Sequence, residues 1–106
     1  MPNITFILKL DQIGAPNNTA RLWLDSSRDD DIEPSEEVAL GTIDGKTWIA
    51  DKNVSAPAAG VRFLLKFITP RGTKWSFTAS SGSATLYKLE DKQTVTTEEK
   101  LSGRLA

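Results

Sequence analysis

The apolar side chains of this chain recur at every second residue over much of its length. In the first run, Ile4, Phe6, Leu8 and Leu10 alternate with Thr5, Ile7 and Lys9. Successive side chains of a β-strand point to opposite faces, so this period predicts a strand with one buried face. Up to residue 89, no helical pattern of useful length interrupts the alternation. The sequence therefore predicts an all-β domain.

Seven short runs of this kind precede residue 90, with loops predicted at residues 11–18, 26–36 and 54–60. The predicted strands cover residues 4–10, 20–25, 38–43, 46–50, 61–68, 73–78 and 84–89. Asp44-Gly45 between two apolar runs indicates a β-hairpin, because a type I′ turn needs positive φ at both central residues. Turn signals about every 8–12 residues are typical of a sandwich or small barrel. We expect an antiparallel immunoglobulin-like β-sandwich of seven to eight strands.

The length of 106 residues suits one domain that buries a core without disulfides or a metal. We expect residues 1–89 to form the sandwich and residues 90–106 to form a polar C-terminal tail. The tail allows a last strand near Thr94-Val95-Thr96, or a short helix capped by Thr97 with Leu101 and Leu105 on one face. A frayed end is the third alternative.

The chain contains no cysteine and no histidine. This excludes disulfides, thiolate metal sites, serine-histidine-acid triads and histidine-ligated metals. Carboxylates, lysines or Tyr87 could still support catalysis, but the sequence favours a binding protein without cofactor over an enzyme. The net charge of −1 creates no field that selects nucleic acid or acidic lipid. Apolar runs such as Phe63-Leu64-Leu65 are far too short to span a membrane. No secretory signal is evident, and the sequence leaves the cellular compartment undetermined.

Charge is distributed unevenly along the chain. Residues 25–37 contain seven acids and one arginine, whereas residues 61–76 contain four basic residues and no acid. The acidic loop could bind calcium through oxygen ligands, but it lacks EF-hand spacing, so a solvated loop without metal is favoured. The basic residues Arg62, Lys66, Arg71 and Lys74, together with Trp75, could contact phosphates and stack one base. Ordinary surface charge, neutralised by the acidic loop within or between molecules, is the simpler interpretation.

Three tryptophans could pack in the core or form a ligand platform. The alternation places Trp23 opposite Leu22 and Leu24, off the main core face. Trp75 shares a face with Phe77, and Trp48 follows the predicted hairpin. Exposed rings of this kind would stack on the flat apolar face of a sugar or on a nucleic-acid base.

The order of features over residues 4–79 resembles the starch-binding type of carbohydrate-binding module. The similarity begins with an opening strand and a second strand with Arg21-Leu22-Trp23-Leu24. A tryptophan that begins a strand and a Pro-Ala-Gly-like connector follow. An aromatic strand carrying Lys66 comes next, with Trp75 after the following turn. The resemblance implies that Lys66 hydrogen-bonds sugar hydroxyls and that Trp75 and Trp48 stack on pyranose rings.

The leading functional hypothesis is therefore non-catalytic, α-glucan-like carbohydrate binding through Trp75, Lys66 and Trp48. The alternative is a protein-interaction or self-assembly module that uses exposed strand edges and the opposed charged segments. A single-stranded nucleic-acid binder is the third hypothesis.

Overall fold

The computed structural model describes residues 3–12, 18–55 and 57–106, which form nine β-strands. Most of the predicted loop at 11–18 and Ala56 of the predicted connector lie outside the described residues. The strands are β1 (Asn3–Leu10), β2 (Thr19–Leu24), β3 (Glu37–Val38), β4 (Gly41–Thr42), β5 (Thr47–Asn53), β6 (Arg62–Ile68), β7 (Lys74–Ser81), β8 (Ala84–Gln93) and β9 (Glu98–Arg104). A single 3₁₀ turn, Pro34–Glu36, is the only helical element among these residues, and none of their helices could cross a membrane.

The strands form two antiparallel sheets that pack as a sandwich, which confirms the predicted fold class. Sheet A has the order β4-β5-β1-β7-β8, and sheet B has the order β3-β2-β6-β9. Phenylalanines fill the interior: the ring of Phe77 in sheet A lies 6.1 Å from that of Phe6 and 5.5 Å from that of Phe63 in sheet B. All three are fully buried. The alternating positions of each strand therefore separate an inner face, which is the core, from an outer face.

The hairpin predicted at Asp44-Gly45 is present, but its turn is longer than two residues. Thr42 of β4 pairs with Trp48 of β5, and only Gly45 of the two central residues has positive φ, at 74°. The Asp44 carboxylate accepts hydrogen bonds of 2.8 Å from the backbone amides of Lys46 and Thr47. The side chain of Asp44 therefore closes a turn that the type I′ prediction assigned to the backbone alone.

The predicted single strand at residues 38–43 is wrong, because the chain changes sheets within it. Val38 of β3 pairs with Leu22 in sheet B, whereas Gly41 of β4 pairs with Ile49 in sheet A. Val38 is buried and Leu40 packs against the core. Apolar residues at every second position are expected whether the chain stays in one sheet or crosses between two, so the period alone could not locate the crossing.

Residues after 89 extend β8 and then form β9 along β6, so they belong to the sandwich. Leu65 pairs with Leu101, and Leu105 is buried just beyond the strand. The amide of Leu105 donates to Val61 O at 2.9 Å, and that of Ala106 donates to Leu86 O at 2.8 Å. Residues four apart share a face in a strand as well as in a helix. The spacing of Leu101 and Leu105 was therefore compatible with both a strand and a helix.

Candidate functional site

Trp75, one of the three predicted sugar contacts, is a core residue in the structure. It pairs with Leu10 on the inner face of sheet A and is 8% exposed. Its ring meets that of Phe67 in sheet B edge-on, with the centroids 5.0 Å apart. Trp75 therefore joins the two sheets.

Trp48 also lies on the inner face of sheet A, where it pairs with Leu8 and packs against the core. Its indole Nε1 is buried and finds no hydrogen-bond partner among the described residues. Lys66, the third predicted contact, lies on the outer face of sheet B, between the buried Leu65 and Phe67. The structure does not bring the three residues to one surface.

The basic group predicted around residues 61–76 is also divided between the sheets. Arg62 and Lys66 lie on the outer face of sheet B, Arg71 lies in the turn after β6, and Lys74 begins β7 in sheet A. Trp75 points into the core, so its ring does not lie on an outer face with these cations. The group proposed for nucleic-acid contact is thus not assembled.

A different tryptophan, Trp23, lies on the outer face of sheet B, as its alternation with Leu22 and Leu24 predicts. The residue is nevertheless only 9% exposed. The Arg21 guanidinium lies over the ring at 4.9 Å from its centroid, and the Lys66 ammonium lies at 5.6 Å. Cations are attracted to the face of an indole ring in this geometry. Lys66 therefore belongs to a site around Trp23.

This site is an open cleft of about 310 Å³, here called the Trp23 cleft. Its lining consists of Arg21, Trp23, Ile32, Glu33, Pro34, Leu64 and Lys66. Strands β2 and β6 supply the floor, where Trp23 pairs with Leu64. The acidic loop (residues 25–37) supplies one wall of the cleft. The cleft is thus built from segments that are distant in sequence.

Hydrogen bonds and an ion pair hold the acidic loop against the sandwich. Arg28 donates to the carbonyl oxygens of Ser55 and Pro57. Asp30 forms an ion pair of 2.5 Å with Arg104, and its carbonyl oxygen accepts a 3.0 Å bond from Arg62. Within one molecule the acidic loop therefore contacts Arg62, one of the four predicted basic residues, and pairs with Arg104 of β9.

Three carboxylates of the acidic loop converge. The oxygens of Asp25, Asp29 and Glu36 lie within 4.8 Å of one another, and such a set can hold a hard cation. Asp25 already accepts bonds from Ser27 Oγ and the Asp30 amide, and Glu36 accepts bonds from Ser27. These hydrogen bonds within the acidic loop explain why the three carboxylates lie close together, without the need for a cation.

Hydrogen bonding shifts the pKa of two carboxyl groups at the cleft in opposite directions. The hydrogen bond with Asp29, and then its charge and that of Glu36, raise the pKa of Glu33. The hydrogen bonds from Arg21, at 3.0 and 2.7 Å, lower the pKa of Glu37. Glu37 thus fixes Arg21 beside the ring, while Glu33 presents a carboxyl that is more readily protonated than an ordinary glutamate.

Sequence analysis named Trp23 as one of three possible ligand platforms, but it did not place Arg21 in a site and it missed Lys100 entirely. Strand pairing places Arg21 opposite Lys66 and Lys66 opposite Lys100. The period of two indicates which face each residue takes, but not which strands are neighbours. That information comes only from the sheet order.

No known family model, curated protein or solved structure matches this chain. The geometry of the Trp23 cleft is therefore the basis for a functional interpretation.

Proposed function

We propose that this protein is a non-catalytic carbohydrate-binding module that holds sugar in the Trp23 cleft. The supporting observation is the composition of that cleft. It combines an indole ring with cationic donors and a carboxyl group on one outer face.

The chemistry of a sugar matches these groups. A pyranose ring has apolar C–H faces and a rim of hydroxyls that both donate and accept hydrogen bonds. Trp23 and Leu64 provide an apolar floor, and Ile32 extends it onto the loop wall. Arg21 and Lys66 offer donors only, whereas an ionised Glu33 offers acceptors. Groups of both signs around one ring suit a polyhydroxylated ligand better than a purely apolar one.

The size and shape of the cleft are consistent with a short stretch of oligosaccharide. Its volume of about 310 Å³ is at the lower end of ligand pockets, which span roughly 300–1,000 Å³. Arg21 is held beside the ring by Glu37, whereas the half-buried Lys66 lies over the ring at 5.6 Å and can turn from the indole toward sugar hydroxyls. This exchange replaces a cation–π contact with hydrogen bonds.

The α-glucan version of the hypothesis depends on Trp48 and Trp75, whose rings face the core. The proposal therefore retains Lys66 from the predicted site and replaces both tryptophans with Trp23. It keeps carbohydrate as the ligand class and leaves α-glucan as one sugar to be tested.

The self-assembly alternative has less support from the structure. Part of the opposed charge that would drive it is engaged inside the fold, where Asp30 contacts Arg62 and Arg104. The longest free edge is β8, which carries Lys88, Glu90 and Lys92 and bends at Asp91, where φ is 57°. Charges and irregular backbone on an edge strand oppose pairing with another molecule.

Isothermal calorimetry with soluble starch, a neutral β-glucan and polygalacturonate tests the proposal. We expect saturable binding of at least one, weakened in Lys66→Gln and in Glu33→Gln. Lys9→Gln is the matched control, because Lys9 is an exposed lysine on the outer face of sheet A. Absence of binding to all three sugars, or equal losses in Lys9→Gln and Lys66→Gln, would contradict the proposal.

A further inference from the structure

Three cations form one row across the outer face of sheet B. Arg21 on β2, Lys66 on β6 and Lys100 on β9 are successive cross-strand partners. Neighbouring strands lie about 5 Å apart, so the row presents one positive charge per strand. It begins at the Trp23 cleft and leads away from it to β9.

The row is electrostatically unfavourable for the protein alone, because like charges directly opposite in a sheet repel. Arg21 is compensated by Glu37 at 2.7 Å. Within the described ranges, Lys66 and Lys100 form no ion pair. Natural proteins keep unfavourable arrangements such as opposed like charges mainly at functional sites. Two adjacent uncompensated lysines point to a negatively charged ligand.

The surface beside the row can accommodate a chain that crosses the strands. The next positions on this face are Trp23, Leu64 and Ser102, which are also successive partners. They provide an aromatic ring, an apolar side chain and a hydroxyl. A ligand lying between the two rows would contact cations on one side and these uncharged groups on the other.

We propose that the ligand is a polyuronate, a polysaccharide with one carboxylate on each sugar, that runs from the Trp23 cleft across β6 to β9. This inference rests on the proposed carbohydrate function and specifies its substrate class. In an extended polysaccharide, the length of one pyranose unit is comparable with the spacing between neighbouring strands. Successive carboxylates therefore meet successive cations.

The charge pattern favours a polyuronate over denser polyanions. A single row with one cation per strand matches one charge per sugar, whereas heavily sulfated chains carry more.

Calorimetry at low salt with the whole chain tests this inference. The ligands are polygalacturonate, soluble starch, heparin and poly(dT). Lys100→Gln is the decisive variant, because Lys100 lies in the row but does not line the Trp23 cleft. We expect it to bind polygalacturonate about two- to fivefold more weakly, the range for one exposed charge pair. Lys9→Gln should bind like the unmodified protein, and added salt should weaken binding.

The outcomes separate this inference from the proposed function. Polygalacturonate bound more tightly than starch, with a loss specific to Lys100→Gln, supports both. Starch bound as tightly as polygalacturonate overturns the inference and leaves the carbohydrate function standing. Tighter binding of heparin or poly(dT) also overturns the inference. No binding of any polysaccharide overturns both.

Discussion

The ammonium group of Lys66 lies 5.6 Å from the centre of the Trp23 ring, across two paired strands. The pairing of Trp23 with Leu64 places Lys66 diagonally from the ring on the same outer face. This contact places Lys66 beside Trp23 on the outer face of sheet B, whereas Trp48 and Trp75 pack on the inner face of sheet A.

Lys66→Met should weaken sugar binding with little effect on folding. Methionine keeps an unbranched apolar stem but removes the charge that would bind hydroxyls or carboxylates. The loss of an exposed cation–π contact lowers the free energy of unfolding by only about 0.5–1 kcal/mol. Urea unfolding and calorimetry measure the two effects separately. A large loss of stability with unchanged sugar affinity would assign Lys66 a purely structural role.

Trp75→Ala should destabilise the fold by about 3–5 kcal/mol, the range for removing a large aromatic side chain from a core. The contact with Phe67 joins the two sheets, so its loss leaves a cavity between them. Trp75→Phe should cost less and give a folded protein with unchanged sugar affinity. If folded Trp75→Phe loses sugar binding, Trp75 contacts the ligand and the core assignment is wrong.

Gly103→Ala should destabilise the protein by about 1–3 kcal/mol through overpacking. A Cβ at residue 103 would lie 3.1 Å from the ring of Phe63 and 3.2 Å from that of Tyr87. Gly41→Ala is the matched control, because nothing lies within 4 Å of its added Cβ and neither glycine has positive φ. Thermal and urea unfolding of the two variants compare them directly. Equal effects would show that Gly103 does not limit the packing of β9.

Asp44→Asn should reduce stability at neutral pH and lose this effect in acid. Hydrogen bonds from the amides of Thr47 and Lys46 lower the pKa of Asp44 below 3.8. A carboxyl with a lowered pKa stabilises the fold above its unfolded value, and the stabilisation disappears as pH falls through the folded value. Urea unfolding at pH 7, 5 and 3 should show the difference between the two proteins shrinking below about pH 4. A constant difference would contradict this role.

Glu33→Gln should change stability in the opposite direction from Asp44→Asn, because the pKa of Glu33 is raised rather than lowered. The pKa of Glu33 is raised above 4.5, chiefly by its hydrogen bond with Asp29. The stability linked to this proton is present below about pH 4.5 and is lost as pH rises through the raised value. Glu33→Gln should therefore be more stable than the unmodified protein at pH 7. Its advantage should decrease on acidification in the same urea series.

Much of the fold follows from local sequence, because the side-chain period specifies strands and their inner faces without reference to neighbours. The alternation through Phe6 and Leu8 identified β1, and Asp44-Gly45 identified the β4–β5 hairpin. The crossing between sheets at residues 39–40 and the position of β9 could not be predicted in this way. They depend on which strands pair and on the burial of Leu105 against the sandwich.

The candidate site was only partly predictable for the same reason. The outward position of Trp23 followed from the period, and Lys66 was implied by the resemblance to the starch-binding modules. The contact between them, and the row that includes Lys100, require β6 to lie between β2 and β9. The packing of Trp75 on Phe67 was not predictable, because an aromatic residue beside a lysine has the same local pattern whether its ring packs inward or outward.

The three tryptophan indole groups allow the most direct test of the central claim, that ligand binds at Trp23 on the outer face of sheet B. Their indole N–H signals can be followed by NMR in nitrogen-15-labelled protein during titration with oligogalacturonate. We expect the Trp23 signal to shift together with the backbone amides of Lys66 and Lys100, while the Trp48 and Trp75 signals stay in place. A Trp23 signal that does not move, or shifts confined to Trp48 and Trp75, would contradict the claim.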